Sequence, residues 1–384
     1  MKAFITITLL CVTVLLSGCL GSKNSGIAPT LAFAYVVGAG DNSIRAFTQT
    51  SVGDLLPFSV ASFPTNPLPT SLALHPSKNF LYVNSETANT VSGFNIDHTT
   101  GIITPIGTAQ PPTPVCASVT VCSNPIGVAV DSAGHFLLVL NQGSATPAVP
   151  ASISVFSIDT TRGLLTPVAG SPFPFASLVA PAPQFLIASP TSEAFYVSNG
   201  VSGTVSGFVV GANGVPSEVA GSPFATEAGA TLAGMAIDPK GQFLFVADSV
   251  NNSIASFNVA SNGALTTAAG SPVAAGTTPV AVAVDGTSAF LYSANQGSDN
   301  VSAYSISSGS LTPLAGSPFT LENSIASHQP AFITVDVSNA FLYVANPGTS
   351  NVTVFGRAND GTIQITKDSP FPTTVKPEWM VITK

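Results

Sequence analysis

A four-residue pattern recurs seven times along this chain and constrains its fold more than any other feature. Each copy opens with a large apolar residue, usually Tyr, continues most often with Val, and tends to end on Asn or Asp. The copies begin at Tyr35, Tyr82, Leu138, Tyr196, Phe245, Tyr292 and Tyr343. Their spacing of about 50 residues is typical of repeat units built from four short strands and their turns. The sequence therefore predicts a repeat protein made of β-strands.

The residues after each copy predict a second strand, a turn and a third strand. The second strand has apolar residues on both faces, as in residues 205–208, and the turn after it often contains Gly, as in Asn213-Gly214. Gly and Asn adopt the positive φ that hairpin turns need. The third strand contains Pro, for example Pro167. Because Pro cannot donate a ladder hydrogen bond, we expect this strand at the outer edge of each sheet.

The residues before each copy predict a fourth strand near the centre of the molecule. This strand usually starts with Pro and contains small residues at alternate positions, as with Ala281 and Ala283. Small side chains suit a place where strands crowd around an axis. The strand is followed by a mostly polar position, occupied by His75, Asp131, Ser189, Asp238, Asp285, Asp336 and Thr383. These side chains are interpreted as turn caps, with a cation-binding ring as the alternative.

The order of the predicted strands along the chain indicates how the repeat closes. The first repeat starts directly with its pattern strand, at residues 31–38, and the chain ends on a central strand, at residues 378–383. The last strand can therefore complete the first repeat. An open solenoid would leave two ends that need caps. We predict an all-β, seven-bladed β-propeller with four antiparallel strands per blade, whose ring is closed by the C-terminal strand.

The repeats resemble those of the bacterial YVTN-type propellers, as in Tyr196-Val-Ser-Asn199 and Tyr343-Val-Ala-Asn346. With the turn sequence Asp-Pro-Lys-Gly-Gln-Phe-Leu at 238–244, the chain is also similar to the seven-bladed β-propeller lactonase family. That family includes 6-phosphogluconolactonases and related muconate cycloisomerases. The resemblance covers residues 31–384 and implies the fold. It says less about activity, because the matching residues are those that build blades.

The N-terminal residues predict an export signal rather than part of the fold. Lys2 precedes an apolar run at residues 4–16, which is too short to span a bilayer. The tetrad Leu16-Ser17-Gly18-Cys19 then resembles the bacterial lipobox. It implies a lipoprotein signal peptide at 1–18, a lipidated Cys19 with a flexible tether over 19–30, and the propeller at 31–384. The alternative is an ordinary signal peptide that contains a Cys. We expect an exported protein, periplasmic or at the cell surface, anchored to the cell membrane or outer membrane.

The composition excludes some classes of partner and site. The formal net charge is −8, with no basic run, which argues against nucleic acid. Cys116 and Cys122 lie close together, and in an exported protein they predict a disulfide rather than a zinc site. No phosphate loop or metal spacing is present, so no cofactor and no metal are expected.

The candidate site residues fall on the face that carries the hairpins after each pattern strand and the crossovers between blades. An acidic set on this face is assigned to ligand binding: Asp41, Glu86, Asp248, Asp299 and Glu378. A candidate catalytic group consists of His328, Glu322 and Arg45, with His328 as the base for attack of water on a lactone. The alternative for His328 and Glu322 is a solvated loop. The Asn residues that end four copies, such as Asn141 and Asn199, are interpreted as Asx-turn devices.

Two functions follow from these residues. The favoured one is a monomeric, non-catalytic propeller of the cell envelope that binds a partner protein or a glycan, because no convincing catalytic cluster is visible. The alternative is a lactonase, a carboxylic ester hydrolase resembling 6-phosphogluconolactonase, with a small lactone as its substrate. A phosphorylated sugar acid needs cationic clamps. Beyond residue 30 the chain has only Arg45, Arg162 and Arg357, and only Arg45 is predicted on the binding face.

Overall fold

The computed structural model describes residues 32–60, 62–107, 113–116, 122–178, 183–321, 327–373 and 375–383. Within these ranges the chain forms 37 strands and no helix, so none of the described residues belongs to a helix that could cross a membrane. The predicted signal peptide, Cys19 and the tether lie outside the described residues, and so does Glu322.

The strands form seven five-stranded antiparallel sheets, which are the blades of a propeller. Blade 1 contains β1 (Ala32–Gly38), β2 (Ser43–Gln49), β3 (Leu55–Pro57), β4 (Phe63–Pro64) and the last strand, β37 (Pro377–Ile382). Blade 2 contains β5 (Pro69–Leu74), β6 (Phe80–Ser85), β7 (Thr90–Ile96), β8 (Ile103–Pro105) and β9 (Thr113–Pro114). Blade 3 contains β10 (Pro125–Val130), β11 (Phe136–Asn141), β14 (Ser152–Ile158), β15 (Leu165–Pro167) and β16 (Phe173–Pro174), with a small hairpin of β12 (Ser144–Ala145) and β13 (Ala148–Val149) inserted.

The remaining blades repeat the same arrangement. Blade 4 contains β17 (Pro183–Ala188), β18 (Ala194–Asn199), β19 (Thr204–Val210), β20 (Pro216–Glu218) and β21 (Phe224–Ala225). Blade 5 contains β22 (Leu232–Ile237), β23 (Phe243–Asp248), β24 (Ser253–Val259), β25 (Leu265–Thr267) and β26 (Val273–Ala274). Blade 6 contains β27 (Pro279–Val284), β28 (Phe290–Asn295), β29 (Asn300–Ser307), β30 (Ser310–Pro313) and β31 (Phe319–Thr320). Blade 7 contains β32 (Phe332–Val335), β33 (Phe341–Asn346), β34 (Asn351–Arg357), β35 (Ile363–Ile365) and β36 (Phe371–Pro372).

The order of strands within each blade confirms the sequence prediction. In blade 5, β22 pairs with β23, β23 with β24, and β24 with both β25 and β26. The inner strand is therefore the one that precedes each pattern, and the outer strand is the one predicted from its Pro, which is present in every blade except blade 5. The outer strand is broken into two short pieces, and both pair with the strand that follows the pattern strand.

The C-terminal strand closes the ring as predicted. β37 pairs antiparallel with β1, with Val36 opposite Met380. Thr383 extends the contact beyond the strand, because its N–H donates to the carbonyl of Phe33 at 2.8 Å and its Oγ1 accepts the N–H of Phe33 at 3.0 Å. Blade 1 thus combines the two ends of the propeller.

The tetrad Tyr residues tie neighbouring blades together. In five blades the Tyr hydroxyl donates to the carbonyl of a turn Gly in the next blade. The pairs are Tyr35 with Gly101 at 2.7 Å, Tyr82 with Gly163 at 3.0 Å, Tyr196 with Gly263 at 2.9 Å, Tyr292 with Gly361 at 2.8 Å and Tyr343 with Gly53 at 2.9 Å. Leu138 and Phe245 occupy this position in blades 3 and 5 and lack the hydroxyl. The pattern that defines the repeat therefore also joins the blades.

The polar residues that follow the inner strands cap turns, as expected. Asp238 is fully buried, and its Oδ1 accepts the N–H groups of Gln242 at 2.6 Å and Phe243 at 2.7 Å. Asp285 and Asp336 accept the corresponding N–H groups in their own blades. These carboxylates are thus directed into turns and do not form a cation-binding ring.

The Asx-turn interpretation of the tetrad Asn residues is wrong. Asn199 uses its Nδ2 to donate across the hairpin to Ser206 Oγ at 2.8 Å and Thr204 Oγ1 at 3.1 Å. Asn141, Asn295 and Asn346 make equivalent bonds. An Asx-turn requires the side-chain oxygen to accept a nearby main-chain N–H, whereas here the amide nitrogen donates. The Asn therefore braces the first hairpin of its blade.

Cys116 and Cys122 are joined by a disulfide, with Sγ atoms 2.07 Å apart. Cys122 is buried beside Val115 and Val128 in the core between blades 2 and 3. The bridge therefore fastens the crossover that leads into β10.

Candidate functional site at the channel mouth

The seven inner strands surround a central channel whose lining changes along its length. On the hairpin side, the first layer is the residue after the starting Pro or Leu of each inner strand. We call this layer the mouth ring: Thr70, Ile126, Gln184, Ala233, Val280, Ala331 and Glu378. Thr70 Oγ1 donates to the carbonyl of Ile126 at 3.3 Å, so neighbouring members of the ring are in contact. The mouth ring contains a single carboxylate, Glu378.

Three aromatic residues form the next layer and block the channel. Trp379 stacks on Phe332 with ring centroids 4.4 Å apart and on Phe185 at 5.1 Å. Trp379 belongs to blade 1 and Phe185 to blade 4, so the indole must extend across the axis to reach a strand on the far side. We call Phe185, Phe332 and Trp379 the aromatic plug. At the same position the other blades have only Ser71, Gly127, Gly234 and Ala281.

A cavity of about 360 Å³ lies on the other side of the aromatic plug. Its wall consists of the residues that follow the plug position, and they are aliphatic except for Thr334. Examples are Val130, Ile187, Ile237 and Val284. None of the described residues that line this cavity has a charged side chain. The ionisable chemistry of the channel is therefore confined to the hairpin side of the plug.

Glu378 is the residue of this mouth with the clearest potential for acid–base chemistry. Burial raises the pKa of its carboxyl above the usual range, while the charge of nearby Lys376 acts in the opposite direction. Its strand changes register against β1 between Val37 and Gly38, so Glu378 lies at a β-bulge, and the inner strands of blades 2 to 6 show the same shift at their starts. A half-buried carboxyl with a perturbed pKa in a concave site is typical of a catalytic acid or base.

His328 pairs with Asp299 rather than standing in a solvated loop. Its Nδ1 lies 2.7 Å from Asp299 Oδ2, and its main-chain N–H donates to Asp299 Oδ1 at 3.0 Å. The N–H of Gln329 also donates to Asp299, at 3.2 Å. The His328 side chain is only 2% exposed. The imidazole is thus oriented by a carboxylate, as a general base would be, but it is covered by protein.

The Asp299 contact has counterparts in other blades, which indicates a structural role. Asn42, Asn89 and Asn252 lie in the equivalent hairpins, and each accepts a main-chain N–H from the following crossover, at 2.7 to 3.0 Å. All three have positive φ, as does Asp299. The pair of Asp299 and His328 is the blade 6 form of this clamp between hairpin and crossover.

Arg45 lies at a different blade junction from His328. It is opposite Val36 in β2, on the side of blade 1 that packs against blade 7, whereas His328 lies in the crossover between blades 6 and 7. Its Nε is buried and has no partner among the described residues. The described residues therefore do not assemble the predicted catalytic group around one point.

The other acidic residues predicted to bind ligand fall into different environments. Asp41 is exposed and accepts a hydrogen bond from Ser43 Oγ at 2.9 Å. Asp248 is fully buried, and its Oδ1 accepts the N–H of Thr231 at 3.0 Å. Glu86 is half-buried, and burial raises the pKa of its carboxyl. Of this set, only Glu378 lies on an inner strand.

The described residues contain no group of three or more His, Cys, Asp or Glu that could hold a metal ion. The aromatic plug is the feature that sequence reasoning missed. Its signal was present, because Phe185, Phe332 and Trp379 replace small residues at one repeat position. Reading it required comparison of the inner strands position by position.

The chain matches the family model described as "Lactonase, 7-bladed beta-propeller" over residues 24–208 and 180–325. No curated protein matches it. Among solved structures, a protein from Bacteroides uniformis described provisionally as a 6-phosphogluconolactonase is 18% identical, with a TM-score of 0.74 over 92% of this chain and 99% of that chain. The periplasmic gluconolactonase PpgL of Pseudomonas aeruginosa is 16% identical, with a TM-score of 0.72 over 92% and 99%. A protein from Lactobacillus plantarum is 20% identical, with a TM-score of 0.70 over 92% and 99%.

Proposed function

The chain belongs to the seven-bladed β-propeller lactonase family, and from that premise we propose that it hydrolyses an uncharged lactone at the hairpin-side channel mouth. The observation that carries this proposal is Glu378, the carboxyl of the mouth ring, whose pKa is raised by burial directly beside the aromatic plug.

Glu378 acts as the general base of this reaction. Its carboxylate takes a proton from a water molecule as the water oxygen attacks the lactone carbonyl. The ring C–O bond of the tetrahedral intermediate then breaks, and the same proton passes to the departing oxygen, which becomes the hydroxyl of the product hydroxy acid. A carboxyl with a raised pKa is a stronger base than an ordinary Glu. The β-bulge interrupts the ladder at this point, and we expect a main-chain N–H there to stabilise the oxyanion.

The charges around the mouth favour an uncharged substrate over a phosphorylated one. Phosphate recognition relies on Arg forks or other cationic donors. Arg162 pairs with Asp159 and Arg357 with Asp285, and both pairs lie away from the hairpin face. The cation near Glu378 is Lys376, which cannot form the two-pronged contact of an Arg. The aromatic plug forms the floor of the mouth and provides an apolar surface against which a lactone ring can lie.

Export fits this proposal. The predicted signal peptide and lipidated Cys19 would place the propeller in the periplasm or on the cell surface, where a lactone without phosphate is the more suitable substrate. The periplasmic gluconolactonase of Pseudomonas aeruginosa is a structural neighbour of the same fold. At 16% identity this likeness supports the fold, and the substrate remains our proposal.

The test is hydrolysis by the purified protein and by two variants. Acid release is followed with glucono-1,5-lactone, its 6-phosphate and a panel of simple lactones. Glu378→Gln should lower kcat by about 10² or more, as expected for loss of a general base. Glu86→Gln is the matched control, because Glu86 is also half-buried with a raised pKa but is not on an inner strand. Unchanged turnover in Glu378→Gln would refute the assigned base, and preference for the 6-phosphate would refute the substrate class.

The second candidate is the non-catalytic envelope protein that binds a protein or glycan. It is favoured by the burial of His328 and by the use of Asp248 and Asp299 in main-chain hydrogen bonds. Absence of turnover above the buffer rate on every lactone would favour this candidate.

A further inference from the structure

On the face opposite the hairpins, the residue after the inner strand contacts the next blade at several junctions. Asp238 of blade 5 accepts a hydrogen bond from Ser288 of blade 6, with Oδ2 and Oγ 2.9 Å apart. His75 of blade 2 lies 2.9 Å from the carbonyl of Gly134 in blade 3, and its Nδ1 accepts the N–H of Ser77 at 3.1 Å, so Nε2 carries the proton. These contacts clasp one blade to the next.

Two more contacts of this kind use the last residue of the strand that follows the pattern strand. Gln49 ends β2 and donates from Nε2 to Asp336 Oδ2 of blade 7 at 3.1 Å. Arg357 ends β34, and its Nη1 lies 3.7 Å from Asp285 Oδ2 of blade 6. Each of these buried carboxylates therefore meets a donor or a cation from the following blade.

The junction between blades 3 and 4 breaks this rule. Asp131 is 2% exposed, and its Oδ1 accepts the N–H of Phe136 at 2.6 Å. Its Oδ2 is buried and has no hydrogen-bond donor among the described residues. The position that holds Gln49 and Arg357 in other blades is Val210 in blade 4, which cannot donate. A buried carboxylate oxygen without a donor is costly, so this junction needs a hydrogen-bond donor from elsewhere.

The side chain from blade 4 that meets Asp131 is Glu193. Ser132 Oγ, from the turn that follows Asp131, donates to Glu193 Oε1 at 3.4 Å. Burial, the charge of Asp131 and a hydrogen bond with Asp131 all raise the pKa of the Glu193 carboxyl. The Ser132 hydroxyl and the charge of His135 act in the opposite direction. Two carboxyl groups from adjacent blades are thus within hydrogen-bonding reach of each other.

We propose that Glu193 keeps its proton and donates it to Asp131 Oδ2, so that a carboxyl–carboxylate hydrogen bond clasps blade 3 to blade 4 and opens when Glu193 loses the proton. The protonated Glu193 supplies the donor that Val210 cannot provide. Loss of the proton to solvent leaves two facing carboxylates and removes the clasp. The junction between blades 3 and 4 is therefore a pH-sensitive latch.

A proton on Glu193 fits the site better than a calcium ion. Calcium takes six to eight oxygen ligands in proteins. The described residues offer two carboxyl groups and the Ser132 hydroxyl here, and they contain no group of three His, Cys, Asp or Glu that could hold a metal ion. One proton on Glu193 provides the hydrogen bond that Asp131 Oδ2 lacks, and no further ligands are needed.

The pH dependence of stability tests the latch. Because the pKa of Glu193 is higher in the folded than in the unfolded protein, its contribution is complete at pH below the unfolded pKa and is lost as pH rises through the folded pKa. Tm is measured from pH 4 to 8 for the full protein, Glu193→Gln and Asp131→Asn. The Gln amide donates to Asp131 at every pH. Glu193→Gln should therefore match the parent at pH 4 and exceed its Tm at pH 8.

Asp41→Asn is the control, because Asp41 is exposed on the opposite face and bonds only within its own hairpin. Its Tm should change with pH in parallel with the parent. Asp131→Asn should flatten the pH dependence as Glu193→Gln does. A constant Tm difference between Glu193→Gln and the parent across the pH range would overturn the proposal. A Tm increase on addition of calcium at pH 8 that disappears in Glu193→Gln would replace the proton with a cation.

Discussion

Replacing Tyr196 with Phe should destabilise the propeller by about 1 kcal/mol, the usual net contribution of one hydrogen bond. Tyr196 is fully buried, and its hydroxyl donates to the carbonyl of Gly263 in the next blade at 2.9 Å. The Phe ring would keep the packing between blades 4 and 5 and leave the Gly263 carbonyl without this donor. The loss therefore reports the hydrogen bond rather than a cavity.

The reverse change at the next junction is the matched test. Phe245 takes the Tyr position in blade 5, is fully buried, and faces blade 6, where Gly309 has the positive φ of the other turn glycines. Phe245→Tyr should create the missing bond to Gly309 and stabilise the protein by up to about 1 kcal/mol, less any cost of fitting the hydroxyl into a packed core. Tyr196→Phe removes the hydroxyl at this position of the repeat and Phe245→Tyr adds it, so the expected changes in stability have opposite signs.

The assay should measure free energy rather than temperature alone. The entropy of unfolding is about 2 cal/mol/K per residue, so a propeller of this length shifts its Tm by only about 1.4 °C per kcal/mol. Urea unfolding, followed by the fluorescence of the single Trp379, gives the free energy directly. If Tyr196→Phe left the stability unchanged while Phe245→Tyr lowered it, the tetrad Tyr would act by packing and the inter-blade hydrogen bond would be refuted.

Two further outcomes follow from the closed ring and its buried hydroxyls. Deleting residues 378–384 removes most of β37 and should lower Tm, because β1 loses its inner-strand partner and Met380 leaves the core. A truncated protein with the parent Tm would contradict closure of the ring. Burial raises the pKa of Tyr35, Tyr82 and Tyr343 above 10, so their contribution should be complete below pH 10 and lost progressively above it. Alkaline titration by circular dichroism, with Tyr absorbance at the same pH values, should show ionisation and unfolding together; ionisation that precedes unfolding would contradict burial of the hydroxyls.

The order of strands and the closure could be predicted because they depend on local pattern. Three signals have a direct steric or hydrogen-bonding cause. They are the Pro of the outer strand, the small residues of the inner strand and the mismatch between the first and last repeats. Such signals are read within one repeat, and seven copies reinforce one another. The strands of the structure confirm them, with Thr383 extending the last strand's contact with β1.

The site could not be predicted as well, because its contacts join residues that are distant in sequence. Asp299 lies 29 residues before His328 and meets it only when the crossover folds back on the hairpin. The sequence suggested Glu322 as the partner of His328 because it is nearby in the chain. The aromatic plug joins blades 1, 4 and 7, so no local window contains it. Glu378 was recognised as part of the face, but its raised pKa depends on burial that only the fold determines.

The broken outer strands have a consequence for how copies of this protein behave together. A propeller exposes the rim of every blade, and a long free strand edge invites another chain to add a strand. Here each rim consists of a piece of three or four residues and a piece of two, as with β20 and β21, and Pro occupies many of them. Such a rim offers too few consecutive N–H groups to template a strand. The protein can therefore be concentrated without its blades joining edge to edge.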